Sequence, residues 1–197
     1  MRTTGAMFAL APGQGIFAHR EANAILHAYV ALNRPPEWFV GIDSAASDAA
    51  TVRVAAEFEG WAPALRALIT DGGIAPALRM LHALPTGHRW ERAPGVTLLG
   101  DAAHLAPPAG EGANLAMFDG AELAKAIVVQ PDDIEAALGT YEAAMFPRGA
   151  LAAADAHKTL ALCLNEGAPF SLIDFFTGEG NRSVGVPELR QLGARKA

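Results

Sequence analysis

Cysteine is almost missing from this sequence, since Cys163 is the only one in 197 residues. One cysteine cannot form an internal disulfide, so the fold has to rely on a packed apolar core. A lone cysteine is more typical of a small buried side chain than of a reactive thiol. This cysteine usage favours a cytoplasmic protein.

Positive charge is also scarce. Lys and Arg number 15 against 21 Asp and Glu, which gives a formal net charge of −6 and a pI near 5.5. Nucleic-acid-binding domains carry a clustered basic surface, and this composition argues against such a surface. Hydrophobic residues make up 51% of the chain, which is enough for a buried core. Small molecules are therefore the expected partners.

Long apolar runs are absent as well. The longest nearly uncharged stretch, residues 22–33, is too short to cross a bilayer. Residues 1–5 lack a hydrophobic region of signal-peptide length. The sequence therefore predicts no association with a membrane.

The first third of the chain has the pattern of β-strands. Short apolar runs at residues 6–10 and 15–19 flank a Pro-Gly turn signal, which predicts a hairpin. Residues 25–32 form a third run that ends where consecutive prolines can no longer donate to a ladder. An antiparallel sheet is the expected architecture.

The third predicted strand has one apolar and one mixed face. The apolar face takes every second residue: Leu26, Ala28, Val30 and Leu32. We expect this face to pack on the core, and the other face to line a ligand site or to be an exposed polar surface. On the mixed face, His27 and Tyr29 are the candidates for contact with a substrate.

The rest of the chain is mostly helical in pattern. Helices are predicted from Ser47, from Pro63, over residues 114–129, and after the capping residue Asp133. Pro147 falls inside the last of these helices, and we expect it to kink or interrupt that helix.

Two segments do not have helical periodicity. Residues 96–99 are a continuous apolar run between Pro-Gly and Gly, which predicts a short buried strand. Residues 178–197 are polar and aperiodic, which predicts a mobile tail.

Isolated titratable residues give no strong sign of catalysis or metal binding. His82 and His88 lack the i, i+4 spacing of a helical metal pair, so no metal site is predicted. Glu57, Glu59 and Glu111 are expected to be solvated charges. No side chain is predicted to be a catalytic acid, base or nucleophile.

The informative motif is a strand end, a tight turn, a glycine loop and a helix start. Gly100 allows close approach of the backbone, and Asp101 follows at the position where α/β sheets place ligand-contacting groups. His104 is expected to have a structural role in this turn. Gly110 and Gly112 free backbone amides just before a helix whose positive end attracts anions.

This motif resembles that of the flavoprotein aromatic hydroxylases, and especially the tetracycline-degrading monooxygenases. The matching segments are GDAAH, PPAGEGAN and the following helix, MFDGAELAKAI. A looser similarity runs through MFALAPGQGIFAHRE, EFEGW, HRWERAPGVTLLGD and IEAALGTYEAAMFPRG, so that the resemblance covers most of positions 5–175. A Gly-Asp pair alone is common, whereas this whole constellation is specific.

The resemblance implies roles for individual residues. Asp101 would hold a ribityl hydroxyl of FAD, and the amides of Gly112, Ala113 and Asn114 would face the pyrimidine edge of the flavin. Pro107 and Pro108 would shape the loop between ring and substrate. The expected cofactor-binding residues are Gly100, Asp101, Pro107, Gly110, Gly112, Ala113 and Asn114. The expected substrate residues are Pro108, His27 and Tyr29.

The same resemblance implies a mixed α/β (α+β) fold. An antiparallel substrate-domain sheet with helices would occupy residues 1–87, and the C-terminal part of a Rossmann-like FAD-binding domain would occupy 88–177. No Gly-x-Gly-x-x-Gly opens a βαβ unit here, whereas that fingerprint binds the ADP half of FAD in this family. The chain is therefore expected to correspond to the C-terminal half of such an enzyme.

By resemblance, the function is hydroxylation of an aromatic or polycyclic small molecule with FAD, NAD(P)H and O2. Two alternatives remain open at this point. One is another flavin enzyme on the same scaffold, such as a halogenase or reductase. The other is a non-catalytic remnant that binds a hydrophobic ligand or a partner, or that self-associates.

Overall fold

A meander of three antiparallel strands begins the fold. The computed structural model describes residues 5–42, 47–74 and 76–178. The strands are β1 (Ala6–Ala11), β2 (Gln14–Arg20) and β3 (Leu26–Leu32), and they lie in the order β1-β2-β3. The predicted hairpin and third strand are confirmed.

The sheet packs over only part of one face. Ile16 and Ala18 of β2 are buried, and they pair with Val30 and Ala28 of β3. Burial on β3 is confined to its C-terminal end, because Leu26 and Ala28 are exposed. The expectation of a fully packed apolar face is therefore wrong for the N-terminal half of β3.

Three short helices follow the sheet: α1 (Pro36–Phe39), α2 (Ser47–Glu57) and α3 (Pro63–Thr70). The helix starts predicted at Ser47 and Pro63 are confirmed. Phe58 is fully buried after α2, and its ring makes an edge contact with Trp61 at 4.9 Å.

One of the glutamates expected to be solvated is an ion-pair partner instead. Glu57 is half-buried and accepts two hydrogen bonds from Arg34, at 2.6 and 2.8 Å. Local sequence patterns do not predict this ion pair, because it joins a residue just after β3 to the end of α2, 23 residues later.

The predicted strand at residues 96–99 is wrong. The segment has no strand pairing, and Val96, Leu98 and Leu99 are substantially exposed. A buried parallel strand needs hydrogen-bonded neighbours. Among the described residues the only sheet is β1-β2-β3, and it does not reach this segment.

Helices dominate the second half of the described chain. They are α4 (Asp101–His104), α5 (Gly112–Val129), α6 (Ile134–Leu164) and α7 (Phe170–Thr177). The side chain of Asp133 accepts a hydrogen bond from Ala136 N at 2.9 Å, so the predicted cap of α6 is confirmed. Helix α5 begins two residues earlier than predicted.

Pro147 does not interrupt α6, so the interruption allowed for by the sequence is wrong, and the alternative of a kink stays a prediction. The helix is continuous from Ile134 to Leu164, a length of 31 residues that includes Pro147. Pro147 and Ala143, whose carbonyl loses its usual donor, are both exposed. The neighbouring Met145 and Gly149 are buried, so packing on the opposite side holds the helix together.

The core of this half lies between α4, α5 and α6. Ala103, Tyr141 and Met145 form its buried centre, and Trp90, Leu123, Ala126 and Phe146 pack around them. Cys163 is buried as expected, and burial raises the pKa of its thiol. The sheet is tied to the end of α6 by a hydrogen bond from Gly13 N to Leu164 O, at 2.8 Å.

None of the helices in the described ranges has the length and apolar character needed to cross a bilayer. The tail predicted to be mobile, from residue 178, lies outside the described residues except for Gly178 itself.

Gly100, the N-cap of α4, lies close to α5. Its φ of 59° and ψ of −141° are rarely adopted by residues with a Cβ, and a Cβ added there would lie 3.0 Å from Ala116 Cβ. Two further small residues, Gly120 and Ala124, follow Ala116 at intervals of four along α5. Gly120 faces open space and Ala124 is exposed.

We expect Gly100→Ala to lower the free energy of unfolding by roughly 1–3 kcal/mol, through backbone strain and the contact with Ala116. Gly120→Ala is the matched control, and it should stabilise α5 by up to about 1 kcal/mol. Urea denaturation followed by circular dichroism measures both. A Gly100→Ala protein as stable as the parent would contradict the close approach described for this turn.

Candidate functional site

A buried carboxylate lies directly behind the Gly-Asp turn. Asp119, on α5, is fully buried and accepts three hydrogen bonds. The donors are Gly100 N at 3.1 Å, His104 Nε2 at 2.6 Å and an Arg148 guanidinium nitrogen at 2.9 Å. One side chain thereby joins α4, α5 and α6.

Asp119 is ionised at neutral pH. Burial by itself raises the pKa of this carboxyl group, but the hydrogen bonds from His104, Arg148 and Gly100 outweigh burial and lower the pKa below its ordinary value of 3.8. Because the carboxylate only accepts, the Nε2 of His104 carries the proton of their hydrogen bond.

The partners of Asp119 are themselves held in place. The Arg148 guanidinium lies over the Phe118 ring, 4.8 Å from its centroid. The His104 side chain packs on Gly149, where an added Cβ would lie 3.0–3.3 Å from Cβ, Cγ and Cδ2 of His104. These contacts fit the structural role expected for His104, and they involve Asp119 and α6 as well as the turn.

A second buried carboxylate holds the extended segment before the turn. Glu142 of α6 is 4% exposed and accepts hydrogen bonds from Thr97 Oγ1 at 2.7 Å and Trp90 Nε1 at 3.1 Å. Arg92 also donates to it at 3.3 Å. Glu142 thus holds this extended segment through the side chains of Trp90, Arg92 and Thr97.

Tyr141 completes this attachment. Its hydroxyl donates to the Leu98 carbonyl at 3.2 Å. Burial, with a further contribution from the negative charge of Asp119, raises the pKa of Tyr141 to about 12. The phenol therefore remains a hydrogen-bond donor throughout the neutral and mildly alkaline range.

The predicted cofactor residues lie on the turn, the glycine loop and the start of α5, and most of them are exposed. These residues are called the rim below. Asp101 is the first residue of α4, is exposed, and makes no side-chain hydrogen bond with the described residues. Gly100 and Pro107 are buried. The other predicted residues of the loop and helix start are exposed: Pro108, Gly110, Gly112, Ala113 and Asn114.

The start of α5 presents free backbone donors. Its N-cap, Glu111, makes no side-chain capping bond, and the amides of Gly112, Ala113 and Asn114 have no acceptor among the described residues. The first amide of this turn that is satisfied belongs to Leu115, which donates to Glu111 O at 2.9 Å. The helix therefore points three unpaired N–H groups and its positive end outward.

The predicted substrate residues of the sheet lie apart from this rim. His27 and Tyr29 are exposed on β3, and they face His19 across the strands. No hydrogen bond, ion pair or ring contact within the described ranges joins them to the loop at 105–111.

Asp119, Arg148 and Glu142 were not singled out by sequence reasoning. Their separations of 15 to 52 residues from their side-chain partners follow no helical or strand repeat. The one available signal is that Asp119 and Glu142 are acidic residues in helices otherwise rich in small and apolar side chains.

A model of the FAD binding domain family matches residues 79–179, which include the turn, the glycine loop, α5 and α6. The chain therefore belongs to the FAD-binding domain family of flavoproteins, and the resemblance to FAD-dependent aromatic hydroxylases is confirmed at the level of the family. The mixed α+β class is confirmed with it.

Similar curated proteins carry flavin-enzyme names. A dual O-methyltransferase/FAD-dependent monooxygenase of Cercospora beticola is 39% identical over 114 residues, which are 56% of this chain and 13% of that protein. An FAD-dependent urate hydroxylase of Mycolicibacterium vanbaalenii is 38% identical over 97 residues, which are 48% of this chain and 24% of that protein. The chain thus spans at most about a quarter of the length of these relatives.

We expect Asp119→Asn to lower the free energy of unfolding at neutral pH by about 3 kcal/mol, because it leaves buried donors without their charged acceptor. The pKa of Asp119 is lower in the folded chain than in the unfolded chain. Its contribution is therefore complete well above pH 3.8 and is lost as the pH falls through the folded-state pKa.

The difference between the parent and Asp119→Asn should consequently shrink below about pH 4. Urea denaturation at a series of pH values measures it. Asp155→Asn, an exposed acid on α6, is the control and should change little at any pH. A pH-independent difference would show that the charge of Asp119 is not what stabilises the turn.

Proposed function

We propose that this chain forms the flavin-ring side of an FAD-dependent monooxygenase that hydroxylates an aromatic or polycyclic small molecule with NAD(P)H and O2. The proposal depends on the geometry of the rim. Asp101 has no side-chain partner and three amides of α5 have no acceptor among the described residues, while Asp119 holds the backbone of Gly100 beside them. When bound, FAD supplies the redox chemistry. The residues of the chain bind and orient it.

Asp101 is suited to binding a hydroxyl-bearing chain. Its carboxylate is exposed and has no competing partner among the described residues, so it is free to accept a hydrogen bond from a ribityl hydroxyl. The Asp119–Gly100 hydrogen bond fixes the backbone immediately before it. Asp101 is therefore presented at a defined position without being engaged itself.

The first turn of α5 is suited to an electron-rich ring edge. The amides of Gly112, Ala113 and Asn114 can donate there, and the helix end favours negative charge by about 0.3–1 kcal/mol. Gly110, with a φ of 90°, shapes the approach to this turn, between the buried Pro107 and the helix. This arrangement would stabilise the reduced, anionic ring over the oxidised ring.

The proposal gives the two parts of the chain different roles. Residues 88–177 would form the cofactor-binding part, and residues 1–87 would contribute the sheet face with His27 and Tyr29 to substrate binding. Pro108 would contact the substrate from the glycine loop. A cytoplasmic location, which fits the single cysteine, is part of the same proposal.

We expect the 197-residue chain to bind FAD in the micromolar range or more weakly, because no Gly-x-Gly-x-x-Gly helix start is present to grip the pyrophosphate. Asp101→Ala should weaken binding roughly tenfold to a hundredfold, as expected for the loss of a charge-assisted hydrogen bond worth about 1.5–3 kcal/mol. Titration of FAD followed by flavin fluorescence measures both affinities.

Asp132→Ala is the matched control, since Asp132 is exposed and lies in the loop before α6. Submicromolar binding by the parent chain would contradict the assumed need for a separate pyrophosphate site. Equal affinities of the parent and Asp101→Ala would contradict the role given to Asp101. A colourless protein with no FAD binding at millimolar concentrations would favour the non-catalytic alternative.

Large apolar side chains are exposed on α7 and at the end of α5. Phe170 and Phe176 of α7 are 69% and 73% exposed, and Val128 and Val129 at the end of α5 are each 76% exposed. Apolar patches of this kind mark interaction surfaces or lead to aggregation. We propose that the isolated chain self-associates through them.

We expect the chain to elute as an oligomer or aggregate in size-exclusion chromatography with light scattering. Phe170→Asp combined with Phe176→Asp should shift it towards monomer, because charge opposes burial of α7. Ala154→Asp, on the exposed side of α6, is the control for added charge. A monomer that melts cooperatively at all concentrations would contradict the proposal.

A further inference from the structure

Two histidines and a glutamate lie close together at the connection between β2 and β3. His19 on β2 and His27 on β3 are direct cross-strand partners, and their side chains therefore share one face of the sheet. Glu21 follows β2 at the start of the connection. None of the three is among the expected cofactor-binding residues, and only His27 has a proposed role, in contact with the substrate.

The three side chains direct their ligand atoms towards one point. Glu21 Oε1 lies 3.2 Å from His19 Nε2, and Glu21 Oε2 lies 3.5 Å from His27 Nε2. One ligand atom from each residue lies within 4.8 Å of the other two. Two donors bound tetrahedrally at about 2.0–2.1 Å from a Zn²⁺ ion are about 3.3 Å apart, and each imidazole lies at close to that distance from one of the two Glu21 carboxylate oxygens.

The backbone and a neighbouring ring hold this arrangement. Glu21 N donates to Ile25 O at 2.9 Å, which closes the connection between the strands. The His19 ring stacks against Tyr29, with centroids 5.8 Å apart and planes 18° apart. The rings of His19 and His27 are 5.5 Å apart. Little rearrangement is therefore needed to bring both imidazoles onto one ion.

The site is open to solvent. The side chains of His19, Glu21 and His27 are 41%, 45% and 47% exposed. An ion can reach them directly, and three protein ligands leave at least one coordination position for water or an oxygen-donor ligand.

We propose that His19, Glu21 and His27 bind one first-row divalent transition-metal ion, for which Zn²⁺ is the best match. Two imidazole nitrogens and one carboxylate oxygen suit Zn²⁺, Ni²⁺ or Cu²⁺, whereas Mg²⁺ and Ca²⁺ prefer oxygen donors throughout. A bound ion would cross-link β2 and β3 at the end of the hairpin where β3 is exposed. The same atoms form a His–Glu hydrogen bond in the structure, and metal binding would replace it.

The test is a Zn²⁺ titration of the full 197-residue chain, without an affinity tag, by calorimetry and by competition with a chromophoric chelator. We expect one saturable ion per chain. His27→Ala and Glu21→Gln should each weaken binding by at least about tenfold, since even outer-shell partners of a metal contribute tenfold to a hundredfold. Glu21→Gln keeps the shape of the side chain and removes only its charge.

His82→Ala is the matched control, because His82 is exposed and belongs to no such cluster. It should bind Zn²⁺ as the parent does. Far-UV circular dichroism of all variants verifies that the fold is unchanged, which is expected for side chains this exposed. Co²⁺ in place of Zn²⁺ should give visible absorption bands that His19→Ala abolishes.

Three results would overturn the proposal. The first is the lack of saturable Zn²⁺ binding by the parent. The second is equal binding by the parent and His27→Ala, which would place the ion elsewhere. The third is binding of Mg²⁺ as tight as that of Zn²⁺, which would exclude nitrogen ligation. None of these outcomes depends on flavin binding, so the proposed function stands or falls separately.

Discussion

The Asp119 carboxylate is the constraint on which the rest of the second half depends. An ionised group with no exposure to water is stable only if its hydrogen-bonding capacity is filled, and here one backbone amide and two cationic or polar side chains fill it. Because those donors come from α4 and α6, the charge can be satisfied only when three elements are correctly assembled. The position of the exposed rim depends on this requirement, because Asp119 binds the backbone of Gly100, next to Asp101.

Local patterns were sufficient for much of the fold. Alternation of apolar residues and a Pro-Gly turn located the sheet, and the capping residue Asp133 located the start of α6. The Gly-Asp turn and its glycine loop were visible because their chemistry lies within about 15 consecutive residues. Such features depend on neighbours in sequence, and sequence reasoning handles neighbours well.

The failures have a common physical cause, which is that partners distant in sequence decide the outcome. Residues 96–99 read as a strand, but Glu142 and Tyr141 of α6 bind this segment as extended chain. Pro147 was expected to kink or interrupt its helix, and burial of its neighbours accompanies a helix α6 that is not interrupted. The His19–Glu21–His27 cluster was overlooked because only the strand register brings its members together.

Helix α6 has a mechanical consequence that follows from its length. Its 31 residues span about 46 Å, and Arg148, which binds Asp119, lies near the middle. Pro147, next to Arg148, removes one rung of the helical ladder, so bending is easiest beside the attachment to Asp119. A tilt of about 5° there displaces Leu164, and with it the sheet, by roughly 2 Å. A bend of α6 beside the buried carboxylate would therefore change the position of the sheet relative to the Gly-Asp turn.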